Sequence, residues 1–144
     1  MKSIGNNKRT LEMMYALLNF RVRGNHDGKL IALEKGDDFP FEIKRVYYIW
    51  DTAHDVVRGK HAHKHLEQVI VCTSGSCDFI LDDGRDKVTV HLDNPTQGLY
   101  IPGNTWREFT NFSADCVIMV LASEHYTESD YIRDYDEFLK EVAA

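Results

Sequence analysis

Residues 58–75 read RGKHAHKHLEQVIVCTSG, and no other stretch of this chain says as much about its fold. The part 65–73 (HLEQVIVCT) is rich in β-branched residues and stops at Ser74-Gly75, which predicts a strand ending in a turn. On a strand, residues i and i+2 share a face, so His61 and His63 point the same way. Glu67 stands four residues further on and shares that parity, which predicts two histidines and a carboxylate on one face. Taken alone, the H-x-H pair is equally compatible with a surface pair in a histidine-rich loop, since His65 is close by.

Outward from this stretch the chain continues in short strands cut by turn residues. Residues 43–51 (IKRVYYIWD) are β-branched and aromatic and predict a strand, with Arg45 and Tyr47 on one side and Tyr48 on the other. Strands are also predicted at 29–33, 77–81, 86–92, 98–101, 106–109 and 114–123. Turns lie between them at Asp82-Asp83-Gly84, Asp93-Asn94-Pro95 and Pro102-Gly103-Asn104. Many short strands with regular turn signals predict an all-β sandwich or barrel. Two segments differ. Residues 11–20 (LEMMYALLNF) are apolar without a β-branched residue and favour a short helix, a buried strand being the alternative. Residues 127–142 place Tyr131, Ile132, Tyr135, Phe138 and Leu139 on an i, i+3, i+4, i+7 stripe. This predicts a C-terminal packing helix that starts at Ser129-Asp130.

At 144 residues the chain suffices for one domain: an N-terminal extension, 1–20, followed by a single domain, 21–144. The net charge of -6 repels a phosphate backbone at long range and argues against nucleic acid, while a local arginine cluster can still attract a small anion. The apolar runs are far shorter than the roughly 20 residues that cross a bilayer. Residues 1–10 carry two lysines and an arginine but lead into Glu12 without a cleavage pattern, so a cytoplasmic protein is expected. The three cysteines, Cys72, Cys77 and Cys116, have no metal-finger spacing and read as packed, reduced thiols. Trp50 and Trp106 read as core residues.

The run Gly59, His61-x-His63-x-x-x-Glu67, Gly75 resembles the first motif of the cupin superfamily, and Gly98, Pro102, Asn104 and Asn111 occupy stations of the second. The resemblance implies a cupin barrel: a double-stranded β-helix, or jelly roll, with the C-terminal helix appended. Where the second motif carries its metal-ligating histidine, this chain has Arg107. A guanidinium cannot ligate a metal, and at an effective dielectric near ~20 it repels a divalent ion by several kcal/mol. An open site of His61, His63 and Glu67 remains an alternative. The economical reading is a metal-free barrel in which the histidines move protons and Arg107 serves an anionic ligand.

Three blocks resemble one enzyme family more closely: IKRVYYIWDT at 43–52, RGKHAHKHLEQVIVCTSGSCDFILDDG at 58–84 and DCVIMVLASEHYTESDYIRDYDEFL at 115–139. They are similar to the dTDP-4-oxo-6-deoxyglucose 3,4-ketoisomerases, the WxcM-like sugar 3,4-ketoisomerase cupins. That resemblance implies movement of a ketone from C4 to C3 of a dTDP-linked 4-keto-6-deoxy sugar. The product would serve 3-amino-3,6-dideoxy sugars of surface glycans such as O-antigen. It further implies a homodimer exchanging N-terminal strands, with no metal or organic cofactor. The chain ahead of Arg21 is longer than the family's usual lead-in, and Arg107 stands where histidine is common.

The residues suit that chemistry. A proton on C3 beside a C4 ketone is acidified, and histidine is the side chain whose ordinary pKa suits its removal to an enediol. His61 is the expected base, with His63 relaying protons or holding sugar hydroxyls. The enediolate needs a donor or cation, for which Tyr47 and Arg58 are candidates. Arg45, Arg107 and Glu67 are candidate substrate-binding residues, the arginines for the pyrophosphate. A sugar-nucleotide 3,5-epimerase and a non-catalytic ligand- or metal-sensing cupin are the competing readings.

Overall fold

The computed structural model describes residues 9–10 and 15–143. Two sheets face each other. The first has six strands in the order β1 (Arg9–Thr10), β2 (Tyr15–Asn19), β10 (Gln97–Ile101), β7 (Gln68–Ser74), β12 (Val117–Ala122) and β5 (Arg45–Trp50). The second has five: β13 (Tyr131–Ile132), β6 (Arg58–His63), β11 (Trp106–Thr110), β8 (Cys77–Asp82) and β9 (Lys87–Leu92). A small hairpin, β3 (Arg23–Asn25) with β4 (Gly28–Leu30), stands apart from both sheets. The pairings within both sheets are antiparallel and most strand neighbours are not consecutive in sequence, which is the jelly-roll arrangement the cupin motif implied.

Alternation along each strand sorts residues between the inside and the outside of the sandwich. On β5, Arg45, Tyr47 and Ile49 turn inward, whereas Val46, Tyr48 and Trp50 remain exposed. Trp50 is 64% exposed, so it is not the core residue that its type suggested. On β6, His61 and His63 face inward and Ala62 faces out. The interior is layered. Phe79, Phe109, Cys72, Cys77, Ile118 and Leu99 make an apolar core, with the rings of Phe79 and Phe109 stacked 4.7 Å apart. The three thiols are free and buried there. Gln68, Arg107, Tyr47 and the histidines lie at the opposite end, where inward positions of the same strands turn polar.

The turn after β7 requires glycine. Gly75 has φ +68, and a Cβ there would lie 2.3 Å from the Ser113 hydroxyl.

Two expectations are corrected. Residues 15–19 of the presumed helix form strand β2, which pairs with β10 from Gln97↔Asn19 to Tyr100↔Ala16. Pairing on a sheet edge overrides a weak helical preference. The rest of that segment, 11–14, lies outside the described residues. The C-terminal helix, α1, is real but begins at Tyr135, not at Ser129, and ends at Ala143. Asp134 caps it, accepting the Glu137 amide at 3.1 Å. Residues Glu128–Asp130 instead make a 3-10 turn that leads into β13. Phe138 from α1 packs with Ala62, Trp106 and Ile132 on the outside of the five-stranded sheet, so that face is sealed and the histidines open inward.

Candidate active site

The histidine pair depends on a backbone irregularity. Gly59 adopts φ +83 and Lys60 φ +58, and the β6–β11 register shifts between Arg107 and Glu108. A Cβ at Gly59 would sit 2.9 Å from the Arg107 carbonyl oxygen, so only glycine lets the strands close around this bulge. Past it, the rings of His61 and His63 lie 4.9 Å apart and nearly perpendicular. Tyr131 packs against both, at 5.0 Å from His61 and 4.3 Å from His63. It is placed there by β13, whose register sets Tyr131 opposite His63.

Behind the pair lies a buried cation. Arg107 pairs with His61 across β6 and β11 and is 2% exposed. Its Nη1 donates to Gln68 Oε1 at 2.5 Å, and its Nε and Nη2 donate to the Thr105 carbonyl at 3.3 and 2.9 Å. Gln68 Nε2 in turn donates to the Tyr47 hydroxyl at 3.0 Å. The Arg45 guanidinium lies over the ring of Tyr47 at 4.7 Å and that of Tyr126 at 5.6 Å. Asp130 is buried beside His63: its two oxygens accept the amides of His65 and Leu66 at 2.9 and 3.1 Å.

Burial, and after it the Arg107 charge, lowers His61 to a pKa of about 4 and His63 to about 2. Both rings are therefore neutral at physiological pH and can accept a proton. Burial also lowers Arg107, to about 10, so the guanidinium stays charged at neutral pH. Tyr47 is pushed upward by burial, against the pull of Gln68, Arg107 and Arg45. The cluster thus couples neutral bases with a fixed positive charge, a combination that favours an anionic intermediate.

Among the described residues, the buried side-chain polar atoms lacking a hydrogen-bond partner are Arg45 Nη1, His61 Nδ1, and Nδ1 and Nε2 of His63. Buried polar groups are nearly always paired, and an orphan cluster confined to one place is one that water, an ion or a ligand can satisfy.

The structure brings together His61, His63, Tyr47, Arg45 and Arg107; parity predicted that His61 shares a face with His63 and Arg45 with Tyr47, each within its own strand. It does not include Glu67. Residues 64–67 between β6 and β7 are irregular, so period-two counting does not carry across them. Glu67 turns outward to accept from the Tyr100 hydroxyl, and Gln68 takes the inward position. With Glu67 elsewhere the proposed three-ligand metal set does not assemble. Among the described residues no three His, Cys, Asp or Glu side chains converge in a metal-ligand cluster. Arg58 is exposed at the start of β6, before the bulge, and the cations that bear on His61 are Arg107 and Arg133. Arg107 itself is buried behind the histidines with Nη1, Nη2 and Nε engaged.

Sequence reasoning missed Gln68, Asp130 and Tyr131. Gln68 was signalled only as a polar residue heading an apolar strand. Asp130 and Tyr131 were absorbed into a helical stripe that the chain does not form. Arg133, whose guanidinium covers Tyr131 at 4.2 Å while bonding to Glu128 at 2.7 and 2.9 Å, closes the outer side.

The model of the FdtA family (WxcM-like, C-terminal) matches residues 13–143. The TDP-4-oxo-6-deoxy-α-D-glucose-3,4-oxoisomerase of Aneurinibacillus thermoaerophilus is 52% identical over 127 residues, 88% of this chain and 91% of that one. The chain belongs to this family. A 3,4-ketoisomerase from Helicobacter canadensis superposes with a TM-score of 0.88 at 52% identity, over 92% of this chain and 99% of that one. The QdtA 3,4-ketoisomerase from Thermoanaerobacterium thermosaccharolyticum has been solved as a histidine-to-asparagine variant in complex with TDP-4-keto-6-deoxyglucose. It superposes with a TM-score of 0.88 at 42% identity, over 90% of this chain and 94% of that one. A 4-keto-6-deoxy sugar epimerase from Streptomyces spheroides, 15% identical with a TM-score of 0.70, shares the fold alone.

Proposed function

We infer that this FdtA-family chain is a sugar-nucleotide 3,4-ketoisomerase that converts dTDP-4-oxo-6-deoxyglucose to the 3-oxo-6-deoxyhexose. The observation that carries the reading is the pair of neutral, buried histidines with orphaned ring nitrogens beside a buried guanidinium.

The chemistry follows from those residues. His61, the more accessible of the two rings, takes the C3 proton, and the electron pair moves into an enediolate whose charge develops on O4. Tyr47 donates to that oxygen, and the Arg107 charge stabilises it from behind. A proton then returns to C4 while the O3 hydroxyl loses its own and becomes the new ketone. One C–H and one O–H are lost and one of each is formed, so no redox partner is needed. His63 passes the hydroxyl proton or holds the sugar. Arg45, whose Nη1 has no hydrogen-bond partner, is assigned to the pyrophosphate; Arg58, being exposed, is assigned to the outer part of the nucleotide. Glu67 supports the pocket through Tyr100 instead of touching sugar.

No helix among the described residues is long and apolar enough to cross a membrane. We further propose a cytoplasmic homodimer that exchanges N-terminal strands and uses no organic cofactor or metal. The apolar, exposed outer face of β5, with Val46, Tyr48 and Trp50, supports the dimer.

The test is turnover in deuterium oxide by chelator-treated protein. The ketone moves from C4 to C3 and solvent deuterium appears at C4. Label at C3 and C5 without ketone migration would show an epimerase, and binding without exchange would show a sensor.

A further inference from the structure

The hydrogen-bond chain behind the histidines has a direction, and Arg107 sets it. A guanidinium donates only, so the atom of Gln68 that lies 2.5 Å from Arg107 Nη1 must be the amide oxygen. The amide nitrogen therefore faces Tyr47, and at 3.0 Å it donates to the phenolic oxygen. Arg107 cannot swing away, because its Nε and Nη2 are tied to the Thr105 carbonyl and the side chain is buried. Tyr47 must accept from Gln68, and its single proton has to point elsewhere. Among the described residues nothing accepts that proton, and Tyr47 turns into the interior that holds the two orphaned imidazoles.

We propose that Gln68 is a positioning residue: clamped by Arg107, it holds the Tyr47 hydroxyl as a hydrogen-bond donor aimed at the substrate oxygen on which negative charge develops. The inference rests on the ketoisomerase reading for its chemical purpose, but the hydrogen-bond polarity stands independently of turnover. It also explains a glutamine at this position. A glutamate would satisfy Arg107 equally well yet would draw the Tyr47 proton to itself, and an apolar residue would let the hydroxyl rotate. Only a side chain with an acceptor at one end and a donor at the other transmits the polarity.

The experiment compares wild type, Gln68→Glu, Tyr47→Phe and the double variant. In Gln68→Glu, kcat falls on the order of 100-fold, the scale of losing one preorganised donor, while KM changes little. The same change in Tyr47→Phe costs clearly less than in wild type, because the donor is already gone and only the neutralisation of Arg107 by the new carboxylate remains. Tyr47 ionisation, read as the phenolate absorbance difference against Tyr47→Phe, moves to higher pH in Gln68→Glu, since the phenol now donates to a carboxylate. Gln68→Met, neutral and of similar length, repeats the comparison should the glutamate variant not fold; its loss is also absorbed by Tyr47→Phe. Equal losses in both backgrounds, or an unmoved phenol titration with kcat retained, overturn the proposal. Wild-type protein that moves no ketone overturns the ketoisomerase reading instead, and the phenol titration then decides the polarity by itself.

Discussion

Asp130 Oδ2 lies 3.4 Å from His63 Nδ1, deep enough that the imidazole is 1% exposed and the carboxylate 10%. The contact is electrostatic in this geometry, since that nitrogen has no hydrogen-bond partner among the described residues. The carboxylate itself is anchored by the amides of His65 and Leu66, so it cannot follow the ring. A fixed negative group facing Nδ1 favours the tautomer that carries its proton there, which leaves Nε2 of the neutral ring as the acceptor. Nitrogen-15 NMR of wild-type protein should show His63 protonated on Nδ1. In Asp130→Asn the Nε2–H form should gain population and kcat should fall about tenfold or more. An unchanged tautomer in the variant would reduce Asp130 to a loop anchor.

The histidines also make stability depend on pH. Both have folded pKa values below the ordinary value of 6.5, His61 at about 4 and His63 at about 2, because burial and then Arg107 disfavour their charged forms. Below pH 6.5 the unfolded chain binds protons that the folded chain refuses, so stability falls with pH. The contribution is intact above about 6.5 and erodes downward to about 4 for His61 and further for His63, with a limiting slope of roughly 1.4 kcal/mol per pH unit for each ring. Urea titrations between pH 7 and 4.5 should show a shallower decline in a His61→Asn/His63→Asn variant than in wild type. Parallel declines would place the acid sensitivity in other groups.

Replacing the buried cation tests its electrostatic role directly. In Arg107→Met, burial of the histidines persists but the next largest influence on both is removed, so their pKa values rise. Imidazole proton shifts followed against pH measure this. Replacing a buried charge with an apolar side chain of similar length is often close to neutral for stability, whereas turnover should drop on the order of 100-fold with the loss of charge stabilisation. A folded variant with full activity would remove Arg107 from the reaction.

Gly59→Ala addresses the bulge. The added Cβ meets the Arg107 carbonyl at 2.9 Å and the ring of Phe109 at 3.0 Å, on a backbone at φ +83. A cost of about 1–3 kcal/mol is expected from the strained conformation, with a loss of kcat as His61 is displaced. Thermal unfolding alongside kinetics separates the two effects. Unaltered stability would show that the bulge relaxes without cost.

Much of this molecule follows from local sequence alone. The strands containing residues 45–50, 68–74, 77–82 and 87–92 stand where alternation and turn chemistry predict them, because a half-buried strand must repeat every two residues. The same rule places His61 with His63 and Tyr47 with Arg45, since each pair lies within one uninterrupted strand. The three family-like blocks carry the membership that the family model confirms. What local reading could not decide lies wherever the chain breaks its period or meets a distant partner. Four irregular residues separate His63 from Gln68, and they hand the inward position to Gln68 and turn Glu67 toward Tyr100. Residues 15–19 become a strand because β10 offers an edge, and Tyr131 joins the histidines because its segment pairs with β6 and α1 starts only at Tyr135. A buried charge such as Arg107 is legible as a letter, but its pairing with Gln68 and its effect on two imidazoles arise only when strands remote in sequence are brought within a few ångströms.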